Sequence, residues 1–150
     1  MVDVETSGSV YGRHALLELG AAVGSRATGV IDRFAVLLTP TSDEVVTSRD
    51  TYARAKERGI APAEAMRRFA AWTAPYRARK ASFIARPAAF DWPWIVYSAW
   101  THLGENPFGF KAECASSWFR ARDSKFSVDL PHVAGEDAEI QLRYFLERGG

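Results

Sequence analysis

The chain has 150 residues, of which 47% are apolar and 25% charged, as expected for one globular domain with a sizeable core. A net charge of +1 gives no global attraction to polyanions, so any nucleic-acid contact must come from local basic clusters. The single cysteine, Cys114, excludes an internal disulfide and a thiolate zinc site. No apolar run reaches the roughly 18 residues of a membrane span, and acidic residues replace the basic start of a signal peptide. We therefore expect one cytoplasmic domain over residues 1–150 that does not enter a membrane.

The first third of the chain predicts three strands in close succession. A short apolar segment ends at the turn signal Ser7-Gly8, and residues 15–23 and 30–38 follow as strand patterns. Short turns between them indicate an antiparallel meander. Helices are predicted next at 49–58, which Gly59 ends, and at 62–76, where apolar residues recur at helical spacing.

The remaining sequence predicts a fourth strand and three further helices. Residues 81–85 are a short apolar strand, which follows a helix and so is expected to lie parallel to a neighbour. Helices are predicted at 92–103, at about 115–122 and at 135–148, the last supported by Gly149-Gly150. The predicted class is α/β, with a mixed sheet whose first three strands are antiparallel and with helices packed on it.

Two carboxylates lie two positions apart on the predicted first strand. Side chains of a strand alternate between its faces, so Asp3 and Glu5 project from the same face. Like charges on one face repel unless a cation lies between them, and oxygen-only ligands suit Mg²⁺ or Mn²⁺. The alternative is a solvated strand edge with two surface acids.

Three more polar residues stand out against the apolar pattern. Asp91 follows Phe90 where a helix opens, and either caps that helix or binds a ligand. His132 and Asp137 flank the start of the last helix. Asp137 could complement the helix dipole, and His132 could be a surface loop residue. A separation of five residues would place them about 140° apart on one helix, so His132 is expected in the loop before it.

Taken together, these segments resemble the three motifs of the DEDDh family of 3′–5′ exonucleases. The matching segments are V-D-V-E-T-S-G at 2–8, A-R-P-A-A-F-D at 85–91 and H-V-A-G-E-D-A at 132–138. The segment L-L-E-L-G-A at 16–21 is similar to the family's second strand. This family has a ribonuclease H-like fold and includes ribonuclease T, oligoribonuclease and proofreading domains, so the resemblance implies that fold.

The resemblance also implies an activity and a set of site residues. It makes Asp3, Glu5, Asp91 and Asp137 the ligands of two divalent cations, Mg²⁺ or Mn²⁺, and His132 the general base. The implied reaction is hydrolysis at the 3′ end of single-stranded RNA or DNA, with release of nucleoside 5′-monophosphates. The family's tyrosine branch has its aromatic residue where this chain has Val133, which indicates the histidine branch. Ribonuclease T and oligoribonuclease are homodimers, so a homodimer is expected.

Substrate contacts are expected next to the first two motifs. By resemblance, Thr6, Ser7 and Gly8 contact the terminal nucleotide, and Phe90 and Trp92 offer aromatic faces for base stacking. The basic clusters at 77–80 and 120–125 either guide a phosphate backbone or form solvated faces. Arg86, where the family usually has a histidine followed by asparagine, either contacts a phosphate or faces solvent. The segment P-F-G-F at 107–110 resembles one in short exoribonuclease-like relatives and favours RNA over DNA.

Two other functions are compatible with the same motifs. One is a non-catalytic nucleic-acid-binding module on the same fold, although such a module would be expected to have lost some of the five motif residues. The other is a different two-metal phosphoryl-transfer enzyme, such as an endonuclease.

Overall fold

The computed structural model describes residues 1–148. In chain order its strands and helices are β1 (Val2–Thr6), β2 (Leu16–Ser25), β3 (Gly29–Leu37), α1 (Arg49–Arg58), α2 (Pro62–Ala78), β4 (Ile84–Ala85), α3 (Ala88–Leu103), β5 (Glu113–Cys114), α4 (Ala115–Arg120) and α5 (Ala134–Arg148). Within these residues no helix combines the length and the apolarity needed to span a bilayer.

The strands form one mixed sheet in the order β3-β2-β1-β4-β5. β1 pairs antiparallel with β2, and β2 antiparallel with β3, as the short turns predicted. β4 pairs parallel with β1, through Val2 and Ala85, and β5 pairs parallel with β4. The predicted α/β class and the ribonuclease H-like arrangement of strands are therefore confirmed.

Several predicted boundaries were wrong. The fourth strand is limited to two residues, and β5 was missed because two residues are too few to show an alternating pattern. α3 begins four residues earlier than predicted, at Ala88, and α2 continues past Pro75 to Ala78. Gly149-Gly150, which supported the last helix, lie outside the described residues.

Both faces of the sheet are covered. On one face α2 and α3 bury the largest side chains of the core, including Phe69, Trp94 and Ile95. On the other face α5 packs through Ala138 and Leu142 against Ala22 of β2. The central strand β1 therefore lies between two helical layers, and polar side chains on it are withdrawn from water.

Two glycines fix where α5 begins on the sheet. A Cβ on Gly20 of β2 would lie 2.0 Å from the carbonyl carbon and oxygen of Ala134. A Cβ on Gly135 would lie 2.7 Å from the Cβ of Ala35 on β3. The start of α5 thus lies so close to the sheet that only glycine fits at these two positions.

We expect Gly20→Ala to destabilise the protein by about 1–3 kcal/mol, because the added methyl meets backbone atoms that cannot move aside like a side-chain tip. Chemical denaturation followed by circular dichroism measures this loss. Ile31→Ala, at a side chain 56% exposed on β3, is the control and should change stability by about 0.5 kcal/mol or less. Equal stability of Gly20→Ala and the wild type would contradict the close approach.

Candidate active site

The first two carboxylates lie on the face of β1 that α5 covers. Asp3 is opposite Gly20 and Glu5 is opposite Glu18 in the antiparallel register with β2. Because Gly20 contacts the start of α5, the side chains of Asp3 and Glu5 point toward that helix. Asp3 is 7% exposed, so the alternative of two solvated surface acids is wrong for this residue.

Asp91 is tied to β1 rather than capping its own helix. α3 starts at Ala88 with Pro87 in the N-cap position, so Asp91 lies inside the first turns and the capping interpretation is wrong. Its Oδ1 accepts a hydrogen bond from the backbone N–H of Val4 at 3.3 Å. Val4 lies between Asp3 and Glu5, so this bond brings the third carboxylate to the first two.

The last two motif residues come from the start of α5. Asp137 is 1% exposed, whereas His132 precedes the helix in a left-handed conformation with φ 59°. The side chain of His132 is 82% exposed, and its Nδ1 lies 3.8 Å from Oε1 of Glu5. Ligand atoms of Glu5, His132 and Asp137 lie within 4.8 Å of one another. The structure therefore brings residues from three distant segments to one place.

The electrostatics of the cluster show how close the carboxylates are. Burial is the largest cause that raises the pKa of Asp3 to about 8; repulsion from Asp91, Asp137 and Glu5 contributes, and the hydrogen bond from Gln141 opposes the rise. Burial likewise raises the pKa of Asp91 to about 7, although the Val4 N–H opposes it. The pKa values of Glu5 and Asp137 are also raised, chiefly by burial. Burial and mutual repulsion thus disfavour the ionised form of all four acids.

The donor set fits hard divalent cations. Oδ2 of Asp91 and Oδ1 of Asp137 are buried without a hydrogen-bond partner. A buried oxygen without a partner is costly, and a cation would satisfy it and relieve the repulsion together. Carboxylate oxygens are the ligands that Mg²⁺ and Mn²⁺ prefer. The cluster can therefore hold divalent metal.

Two positioning residues were missed by the sequence analysis. Nε2 of Gln141 donates to Oδ1 of Asp3 at 2.8 Å, and Gln141 is fully buried one turn after Asp137. A glutamine on the apolar face of an amphipathic helix was a usable signal. Ser48, which precedes α1, donates from Oγ to Oε2 of Glu5 at 2.8 Å. Nothing local marks Ser48, because its contact spans 43 positions of the chain.

The residues after the first motif shape a turn. Thr6 donates from Oγ1 to the carbonyl of Gly8 at 2.8 Å, and the Oγ of Ser7 accepts the N–H of Ala15 at 2.9 Å. Ser7 is completely buried. Both hydroxyls are thus engaged within the protein, and contact of Thr6, Ser7 and Gly8 with a nucleotide stays a prediction.

The aromatic residues of the second motif belong to the core. Trp92 is 8% exposed and its ring centroid lies 4.7 Å from that of Phe83. The prediction that Trp92 stacks on a base is therefore corrected, because both its position and its neighbour are those of a core residue. Phe90 is half-buried and packs against the same core.

The arginines singled out in the sequence make contacts within the protein. Arg77 donates to the carbonyl of Pro107 at 2.6 Å, and Arg122 lies 3.7 Å from the ring centroid of Trp118. Arg86 lies 4.8 Å from the ring centroid of Phe126. These cation–π and hydrogen-bond contacts give each of the three side chains a structural role.

Comparison with known proteins identifies the family. No protein-family model matches the chain. The 3′–5′ DNA exonuclease Cap18 of Escherichia coli is 30% identical over an alignment of 164 residues, which covers 97% of this chain and 86% of that protein. With the mixed sheet, this similarity defines an enzyme of the α/β class that hydrolyses phosphodiester bonds. The chain belongs to the 3′–5′ exonuclease family, which confirms the resemblance found in its motifs.

We expect the stability of the cation-free protein to depend on pH through Asp3. Its folded pKa of about 8 exceeds the ~3.9 of an unfolded aspartate, so the folded state retains a proton that the unfolded state releases. The part of the free energy of unfolding that comes from protonated Asp3 is therefore fully present below about pH 4. It is lost as the pH rises through about 8. Asp3→Asn should raise the Tm at about pH 8 by ~4 °C or more and change it little near pH 4.

Thermal melts in a chelator at the two pH values measure this effect. Mg²⁺ or Mn²⁺ should raise the Tm of the wild type at about pH 8 more than that of Asp3→Asn, because the variant lacks one anionic ligand. If Asp3→Asn changes the Tm by the same amount at both pH values, folding does not raise the pKa of Asp3.

Proposed function

We propose that the protein is a metal-dependent 3′–5′ exonuclease, its active domain spanning the chain, which releases nucleoside 5′-monophosphates from single-stranded ends. The observation that carries this proposal is the convergence of Asp3, Glu5, Asp91 and Asp137 beside an exposed histidine. The buried acids are costly to the fold, and a non-catalytic binding module would have no use for such a cluster. The exposure of His132 suits a group that must reach a water molecule and a substrate.

In the proposed reaction the four acids bind the cations and His132 accepts the proton. Two divalent cations held by Asp3, Glu5, Asp91 and Asp137 would activate the attacking water and stabilise the charge developing on the phosphate. His132 accepts a proton from that water as its oxygen bonds to phosphorus. The bond from phosphorus to the 3′ oxygen of the preceding nucleotide breaks, and that oxygen takes up a proton from solvent. The products are a nucleoside 5′-monophosphate and a strand one nucleotide shorter.

His132 lies beside Glu5 at the edge of the cluster. Its Nδ1 is 3.8 Å from Oε1 of Glu5, and its side chain is 82% exposed, so the imidazole is open to a water molecule. Ser48 donates a hydrogen bond to the other oxygen of Glu5, so the two carboxylate oxygens face different neighbours. The exposed position of His132 at the edge of the cluster supports its proposed role as the base.

We further propose DNA as the preferred substrate. The relative that covers nearly the whole chain is named as a DNA exonuclease. The segment at 107–110, which favoured RNA in the sequence, is a self-bonded turn: Asn106 donates to the carbonyl of Gly109 at 2.7 Å and accepts from the N–H of Phe108 at 3.1 Å. Phe108 is buried and supports the core, whereas Phe110 is 80% exposed, and neither position by itself distinguishes the sugar.

The first test is product analysis on matched 5′-labelled DNA and RNA oligonucleotides with Mn²⁺ or Mg²⁺. We expect a ladder that shortens one nucleotide at a time from the 3′ end, faster on DNA, and lost in Asp3→Ala. Asp129→Ala, which removes an exposed acid, is the matched control and should retain wild-type activity. Internal cleavage would indicate an endonuclease, and faster digestion of RNA would reverse the sugar preference.

The second test addresses the base. His132→Ala should lower kcat about 10²–10⁴-fold, because a positioned proton acceptor contributes that much, while the Tm stays near the wild-type value. His102→Ala, a change at a histidine in the last turn of α3, should leave kcat within about threefold. Full activity of His132→Ala would count against the histidine mechanism and favour another metal-dependent phosphoryl transferase.

A further inference from the structure

A fifth carboxylate lies next to the four motif acids. Glu18 on β2 is 4% exposed and is paired directly with Glu5 in the register of the sheet. Paired residues of adjacent antiparallel strands project from the same face, so Glu18 points toward α5, as Glu5 does. Burial of one acid beside another lowers the stability of the fold unless hydrogen bonds or an opposite charge compensate for it.

The surroundings of Glu18 indicate what its role is. Gly20, two positions along the same face of β2, lies against the backbone of Ala134, the first residue of α5. Burial raises the pKa of Glu18, and Arg54 and the backbone N–H of Ala134 oppose that rise. Nη2 of Arg54 on α1 lies 3.6 Å from Oε1, while Oε2 has no hydrogen-bond partner. An anionic group at the first N–H groups of a helix is favoured by the helix dipole.

Glu18 and Gly20 act on the same part of α5. They are two positions apart on one face of β2, and Gly20 allows the backbone of Ala134 and Gly135 to approach. Ala134 comes two residues after His132 and three residues before Asp137. A contact that fixes Ala134 therefore fixes the segment that carries both catalytic side chains.

We propose that Glu18 is a positioning residue of the active site, whose buried carboxylate holds the first turn of α5 on β2 and so sets the places of His132 and Asp137. This inference rests on the proposed exonuclease function. Catalytic groups displaced by about 1 Å can lose about 10²-fold in rate, so a tie at this position has a large effect on turnover. The turn at Thr6–Gly8 lies at the end of β1, and the hydrogen bonds of its hydroxyl groups do not involve Glu18.

The test compares two replacements of similar size. Glu18→Gln keeps an oxygen that can accept the Ala134 N–H, whereas Glu18→Met has none. We expect Glu18→Met to lower kcat about tenfold or more with the KM for a DNA oligonucleotide within about twofold. Glu18→Gln should stay within about threefold of the wild type. Glu139→Met, which removes a contact between α5 and Arg33 further along the helix, is the control and should also stay within about threefold.

Hydrogen exchange of the metal-free variants separates positioning from a general loss of stability. In Glu18→Met the amides of residues 134–138 should exchange about tenfold faster, while those of β3 are unchanged. Equal acceleration throughout the sheet, wild-type kcat in Glu18→Met, or equal impairment of the Gln and Met variants would overturn the proposal. A wild-type protein without exonuclease activity would instead defeat the proposed function, and the exchange measurement would still report on the contact.

Discussion

The mutual repulsion of four buried carboxylates is the constraint on which the arrangement of this protein depends. Burial, with repulsion from neighbouring acids, raises the pKa of Asp3 to about 8 and that of Asp91 to about 7. A fold that held these groups apart would be more stable without cations. The acid cluster therefore lowers the stability of the metal-free fold. Binding of a divalent cation would recover part of this free energy by neutralising the acids.

Holding such a cluster requires support from every element around it. The acids accept hydrogen bonds from distant residues: Asp91 from the Val4 N–H, Asp3 from Gln141 and Glu5 from Ser48. Each of these bonds joins segments that are far apart in the chain. The active site thus depends on the docking of α1, α3 and α5 onto β1 and β2, and the core on the opposite face of the sheet makes that docking rigid.

The close approach of α5 to β2 connects the fold to the chemistry. Gly20 removes the side chain that would separate the strand from the helix, and the buried Glu18 lies two positions away on the same face of β2. The segment before α5 then places His132 at the rim, where it is exposed, while Asp137 is buried. The start of α5 therefore carries one exposed and one buried motif residue within six positions of the chain.

The sequence by itself determined the strands β1 to β3, the helices α1 and α5, and the common face of Asp3 and Glu5. These follow from periods of two and 3.6 residues, which depend only on neighbouring positions. It also showed the three motifs and their order, from which the family follows. Only the tertiary structure decided that Asp91 bonds to β1 instead of capping a helix, that Trp92 is core, and that Gln141 and Ser48 bond to the acids. Those outcomes rest on contacts between residues distant in the chain, which no local period encodes.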